Sequence, residues 1–213
     1  MTLQRIALLA AFVSAISVGT ANAQMRITEW MYSGSEFIEF TNVGTSSVDM
    51  TGWSYDDDSE IPGTVDLSTF GIVAAGESVI LSEDDEATFR SDWGLGSTVK
   101  IIGSNAANLG RADEINLYDA STALVDRLTY GDEDFVGSIR TRDASGNPIT
   151  AATLGANDVY QWQLAYVGDS FGTYTSSVSG VLGNPGSYIS IPEPGSIVLL
   201  ILGVAGVIAC RRR

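Results

Sequence analysis

Between residues 24 and 190 the apolar residues come in short runs that never settle into a sustained 3.6-residue period. That pattern rules against packed layers of helices and against an α/β fold built from strand–helix–strand units. The runs are rich in β-branched and aromatic residues and are bounded by Gly, Ser, Asn and Asp. They cover residues 25–32, 36–42, 47–55, 78–81, 99–102, 113–118, 123–130 and 159–166. Several alternate with period two. Ile115 and Leu117 lie on one face, with Glu114, Asn116 and Tyr118 on the other. Tyr160, Trp162, Leu164 and Tyr166 likewise share a face opposite Gln161 and Gln163. About eight short strands with turn signals between them predict an all-β, antiparallel sandwich or barrel. One helix interrupts this pattern. Ser82 is placed to cap Glu83-Asp84-Asp85-Glu86, whose carboxylates oppose the positive end of the helix dipole, and Phe89 and Trp93 fall one turn apart on an inward face.

Composition narrows the chemistry. The 213 residues contain no histidine, which removes imidazole bases, Ser-His-Asp and Cys-His nucleophile systems and His-Cys zinc sites. The one cysteine, Cys210, stands near the C-terminus, so the body has no disulfide and no thiolate nucleophile. Residues 24–190 carry seven basic and twenty-five acidic side chains, a net charge of −18, which excludes non-specific nucleic-acid binding. Such a charge keeps an exported protein soluble and favours cations or basic surfaces as partners.

The two ends read as addresses. Arg5, the apolar stretch from Ile6 to Val18 and the small-x-small triplet Ala21-Asn22-Ala23 predict a helical secretory signal over residues 1–23, cut between Ala23 and Gln24. At the other end Ile191-Pro192-Glu193-Pro194-Gly195-Ser196 leads into an apolar run from Ile197 to Ala209, then Cys210 and Arg211-Arg212-Arg213. Thirteen apolar residues make about 20 Å of helix, short of the ~30 Å hydrocarbon core, but arginine stems can snorkel and a basic cluster marks the cytoplasmic side. A short transmembrane helix over 196–210 is expected, halted in the inner membrane. The order of these three parts resembles the PEP-CTERM sorting signal over residues 191–213. The resemblance implies a Gram-negative bacterium and processing by an exosortase, which would recognise Pro192, Glu193 and Pro194 with the arginines Arg211, Arg212 and Arg213. It also implies final residence at the cell surface or outside the cell, among extracellular polysaccharide.

The body, residues 24–190, has its own resemblance. Ile27 and Glu29, then Glu36-Phe37-Ile38-Glu39, then Asn42 and Gly44, then Val48, Met50 and Gly52-Trp53 are similar to the opening of a lamin tail domain. Gly76 before residues 79–81, the segment 114–132 and the closing Gly-Asn-Pro-Gly-Ser-Tyr at 183–188 extend the likeness. It implies an immunoglobulin-like β-sandwich, with residues 135–158 departing from the pattern as a Gly- and Thr-rich excursion.

Carboxylates are the remaining candidates for chemistry. Asp56, Asp57 and Asp58 follow the run ending at Tyr55, and Asp132-Glu133-Asp134 follow Tyr130. Oxygen ligands at strand ends could hold calcium, yet neighbouring strand residues point to opposite sides and no Asp-x-Asp-x-Asp-Gly loop occurs. Solvated acidic loops are the preferred reading, with no cofactor or resident metal. Twenty-five acids always supply some pair at glycosidase spacing, so their number carries no information on hydrolysis. Trp30, Tyr32, Tyr55, Trp93, Trp162 and Tyr166 could stack on sugars if exposed, although strand packing explains such residues equally well. The expectation is therefore an exported, non-catalytic surface or matrix protein. A carbohydrate- or calcium-binding adhesive module is the alternative, and a carboxylate-dependent hydrolase the third reading.

Overall fold

The computed structural model describes residues 24–189. The signal helix, the cleavage residue Ala23, the transmembrane helix and the sorting residues Pro192 to Pro194 and Arg211 to Arg213 lie outside the described residues. Within the body the chain forms β1 (Met25–Met31), β2 (Phe37–Asn42), β3 (Val48–Asp49), β4 (Ser54–Asp56), β5 (Val65–Asp66), β6 (Ile72–Val73) and β7 (Ser78–Ser82). After α1 (Glu86–Asp92) come β8 (Lys100–Ile102), β9 (Ala112–Tyr118), β10 (Leu124–Gly131), β11 (Gly146–Pro148), β12 (Trp162–Leu164), β13 (Tyr174–Thr175) and β14 (Leu182–Gly183).

Two sheets make the sandwich. One has six strands in the order β12-β11-β1-β2-β7-β8, the other four in the order β10-β9-β4-β5. Apolar side chains on alternate positions meet between them: Ile38 and Phe40 of β2 and Val79 and Leu81 of β7 oppose Ile115 and Leu117 of β9 and Leu128 and Tyr130 of β10. Trp30 and Tyr130 pack across the gap with ring centroids 3.9 Å apart. Side chains stitch the margin where β10 approaches β1. The Ile27 N–H donates to Asp126 at 2.9 Å, Arg26 donates to the Val125 carbonyl at 2.8 Å, and the Thr129 N–H donates to Asn157 at 2.6 Å. These contacts occupy groups that an exposed edge would offer to another chain.

The larger sheet is covered on its outer face as well. Met31, Phe37 and Ile80 point away from the first core and pack with Phe89, Trp93, Ile101 and Val181 in a second one. Every residue of β2 and β7 is consequently buried. A bulge between Ile27 and Glu29 adjusts the register so that Trp30 still faces the inner core, while Glu29 stands opposite Glu39 across the β1–β2 pair.

Several expectations need correction. The run 47–55 is two short strands, because Gly52 turns the chain at φ +78°. Ser82 does not cap the helix: it closes β7, and Asp85 is the cap, accepting from the N–H groups of Ala87 and Thr88. β8 runs parallel to β7, so the larger sheet is not purely antiparallel. Residues 159–161 form a 3₁₀ turn and only 162–164 a strand; of the four residues assigned to one face, Trp162 is buried while Tyr160, Leu164 and Tyr166 are exposed. Asn116 and Tyr118, on the face opposite Ile115 and Leu117, are buried as well. The excursion over residues 135–158 supplies β11, which with β12 extends the six-stranded sheet past β1.

Candidate functional site

The sequence directs attention to the acidic loops, and most of the carboxylates in them are already engaged. Asp56 is buried at the end of β4, and one of its oxygens accepts from the Ser59 hydroxyl at 2.8 Å and the Ile61 N–H at 2.5 Å. Asp57 accepts from the Ser59 N–H at 3.2 Å, and its carbonyl accepts from the Asn116 amide at 2.7 Å. Asp58 points to solvent. The three neighbours thus do not converge, and among the described residues no group of three or more His, Cys, Asp or Glu stands together as a metal cage. In the second loop Asp132 receives a two-pronged contact from Arg111, 2.7 Å from Nε and 2.6 Å from Nη2, while Glu133 takes Nη1 at 2.6 Å. Of the six aromatic candidates, Trp30, Tyr55, Trp93 and Trp162 are core residues, Tyr32 is half-buried, and Tyr166 is 58% exposed.

The carboxylates that shape the molecule lie elsewhere, on β1 and β2. Glu29 and Glu39 are both 0% exposed. The segment 181–188 passes over them and is held by its backbone. The Asn184 N–H donates to Glu29 Oε1 at 2.8 Å, the Ser145 hydroxyl donates to the same oxygen, and the Gly186 N–H donates to Glu39 Oε2 at 2.7 Å. Glu39 Oε1 accepts from Thr28 at 2.7 Å and Thr41 at 3.3 Å. Glu29 Oε2 is buried without a hydrogen-bond partner among the described residues. Burial raises the pKa of Glu29 well above the usual carboxylate range, and the facing Glu39 raises it further; burial also raises Glu39, against the pull of its hydrogen bonds. The glycine beside them is a close fit, since a Cβ on Gly183 would stand 2.9 Å from the Trp93 ring and 3.0 Å from Glu29 Oε1.

Glu36 plays the same part at the other end of β2. Its Oε1 accepts from the Leu109 N–H at 2.7 Å and so holds the loop between β8 and β9. Burial, with Glu83 and Asp113 nearby, pushes its pKa up to about 8. The Tyr130 hydroxyl secures that loop again by donating to the Gly110 carbonyl at 3.1 Å. Asp92, at the end of α1, accepts from the N–H groups of Val178 at 2.5 Å and Ser179 at 3.2 Å.

Chemically these acids are clamps. Glu29, Glu36, Glu39 and Asp92 each accept from the backbone N–H of a distant segment, and the proton donors that converge on them describe an oxygen-satisfying pocket, the reverse of a cation cage. An open depression of about 460 Å³ between α1 and the 178–179 turn contains Asp84 and Asp92, and Asp92 there is spent on the turn itself. The sequence displayed Glu29, Glu36 and Glu39 in a recurring pattern; it did not show that they are buried. The available signal was a glutamate inside an otherwise apolar strand, as in Phe37-Ile38-Glu39-Phe40.

Comparison with known families supplies the remaining finding. The Lamin Tail Domain family matches residues 19–132, and the PEP-CTERM protein-sorting motif matches residues 190–213. The first match contains β1 to β10 and all three motif glutamates; β11 to β14 and the closing segment lie beyond it. No curated protein and no solved structure matches the chain.

Proposed function

The chain belongs to the lamin tail domain family and carries a PEP-CTERM sorting motif, and from that premise we propose that it is a non-catalytic protein of the cell surface or extracellular matrix. In this reading the signal peptide over 1–23 exports the body. The apolar run 197–209 and the terminal arginines hold the tail in the inner membrane, and an exosortase acts at Pro192-Glu193-Pro194. The sorting motif is the observation that carries the proposal. The use of Glu29 and Glu39 as clamps supports the non-catalytic part, because carboxylates accepting two and three fixed hydrogen bonds beneath the 181–188 segment have no open face for substrate.

Glu193→Ala tests it in the producing cell. The body is expected to accumulate in the membrane fraction with its tail attached, and unchanged release would sink the proposal. A second reading, contact with polysaccharide, draws support from Tyr160 and Tyr166, 52% and 58% exposed on either side of β12. Under this reading the protein binds a glycan array and Tyr166→Ala weakens that binding; a blank array removes it.

A further inference from the structure

Both ends of the described body emerge at one pole of the sandwich. Gln24 is tied to the turn after β2: its N–H donates to Asn42 Oδ1 at 3.3 Å and its carbonyl accepts from the Val43 N–H at 2.8 Å. The closing segment runs toward the same turn. Its residues pass Glu29 at Asn184 and Glu39 at Gly186, and Tyr188 then lines a depression with Thr41, Asn42, Gly44 and Gly76. The opposite pole, about 20 Å away along β2 at ~3.3 Å per residue, carries Glu36 and the loop it clamps at Leu109.

The length of chain outside the body turns this arrangement into an orientation. Seven residues, 190–196, separate Ile189 from the apolar run. At no more than ~3.6 Å each they reach about 25 Å. A compact domain of this size has a radius of gyration of about 15 Å and so a diameter of ~40 Å. With the tail in a membrane the tether is shorter than the body is wide, so the pole bearing Asn42 and Tyr188 cannot point away from the bilayer. The loops nearest the exit suit that position: residues 43–47 and 73–76 bear no charge, and Glu77 beside them is paired with Lys100 at 3.0 Å. The nearby acids Asp49 of β3, Asp66 of β5 and Asp119 after β9 fold back on their own turns at Thr51, Ser68 and Ser121.

We propose that the pole formed by the 42–47 turn, the 73–77 turn and Tyr188 is the surface apposed to the lipid headgroups while the tail is engaged, and that the pole bearing the 105–111 loop is displayed outward. The proposal rests on the membrane reading of the tail. It also places the Gln24 end beside the bilayer, so the body can be folded while both addresses are still attached.

Two single-cysteine chains with the tail retained, Ala75→Cys and Asn108→Cys in a Cys210→Ser background, test this. Each thiol is labelled with a fluorophore, and the protein is incorporated into phosphatidylethanolamine–phosphatidylglycerol vesicles bearing a headgroup nitroxide. Quenching at residue 75 is expected to be several-fold greater than at residue 108. Equal quenching, or the reverse order, in protein that floats with the vesicles overturns the orientation while leaving the anchor intact. Failure to float with the vesicles overturns the membrane reading and the orientation together.

Discussion

Replacing Glu36 by Gln gives a prediction whose size follows from its surroundings. The side chain is 6% exposed, accepts from the Leu109 N–H at 2.7 Å, and has its pKa raised from 4.5 to about 8. The folded protein therefore keeps a proton that the unfolded chain releases between those values. Stability from this group is fully present below the unfolded pKa, falls as pH rises, and is gone above about pH 8. At ~1.4 kcal/mol per pH unit the full shift would be worth about 5 kcal/mol; screening where the carboxyl edge approaches solvent brings the expected loss to about 2–3 kcal/mol. Glutamine keeps the accepting oxygen and cannot ionise. At pH 5 the variant should lie within ~1 kcal/mol of the parent. By pH 9 it should be more stable by about 2–3 kcal/mol, which at a urea slope of ~2 kcal/mol/M moves the midpoint by roughly 1 M. Urea unfolding followed by tryptophan fluorescence measures this directly. Midpoints that run parallel for the two proteins from pH 5 to 9 would refute a buried, proton-holding Glu36.

Three further outcomes follow from the packing. Glu29→Ala strands the Asn184 N–H and the Ser145 hydroxyl and should cost about 2–4 kcal/mol, with new proteolytic cleavage around 181–188, whereas Glu29→Gln should be much milder. Gly183→Ala forces a methyl against the Trp93 ring and Glu29 and should cost more than ~1–3 kcal/mol, read as a fall in thermal midpoint. Asp85→Ala removes the helix cap and should cost ~1 kcal/mol by the same measure; a loss of zero would mean that the cap hydrogen bonds to Ala87 and Thr88 do not form.

The strand runs were legible because period-two alternation and turn residues are local properties. β1, β2, β7, β9 and β10 fall within a residue or two of the segments read from the sequence. What failed depends on distant contacts. The outer face of the larger sheet is covered by α1 and by residues more than eighty positions away, such as Val181, so β2 shows no polar face to betray its orientation. Asn116 reads as a surface residue until the Asp57 carbonyl is seen to accept its amide. The acidic loops drew attention because adjacent aspartates are conspicuous, while the carboxylates that organise the fold stand singly among apolar neighbours. Glu29 and Glu39 are covered by a segment some 150 residues downstream, and the 155 positions from Glu29 to Asn184 are a separation no local pattern encodes.

Weighing the protein recovered from outside the producing cell goes to the centre of the account. A mass that begins at Gln24 and lacks the apolar run and terminal arginines is the result it requires. A full-length mass of all 213 residues, recovered from the cytosol, would contradict it.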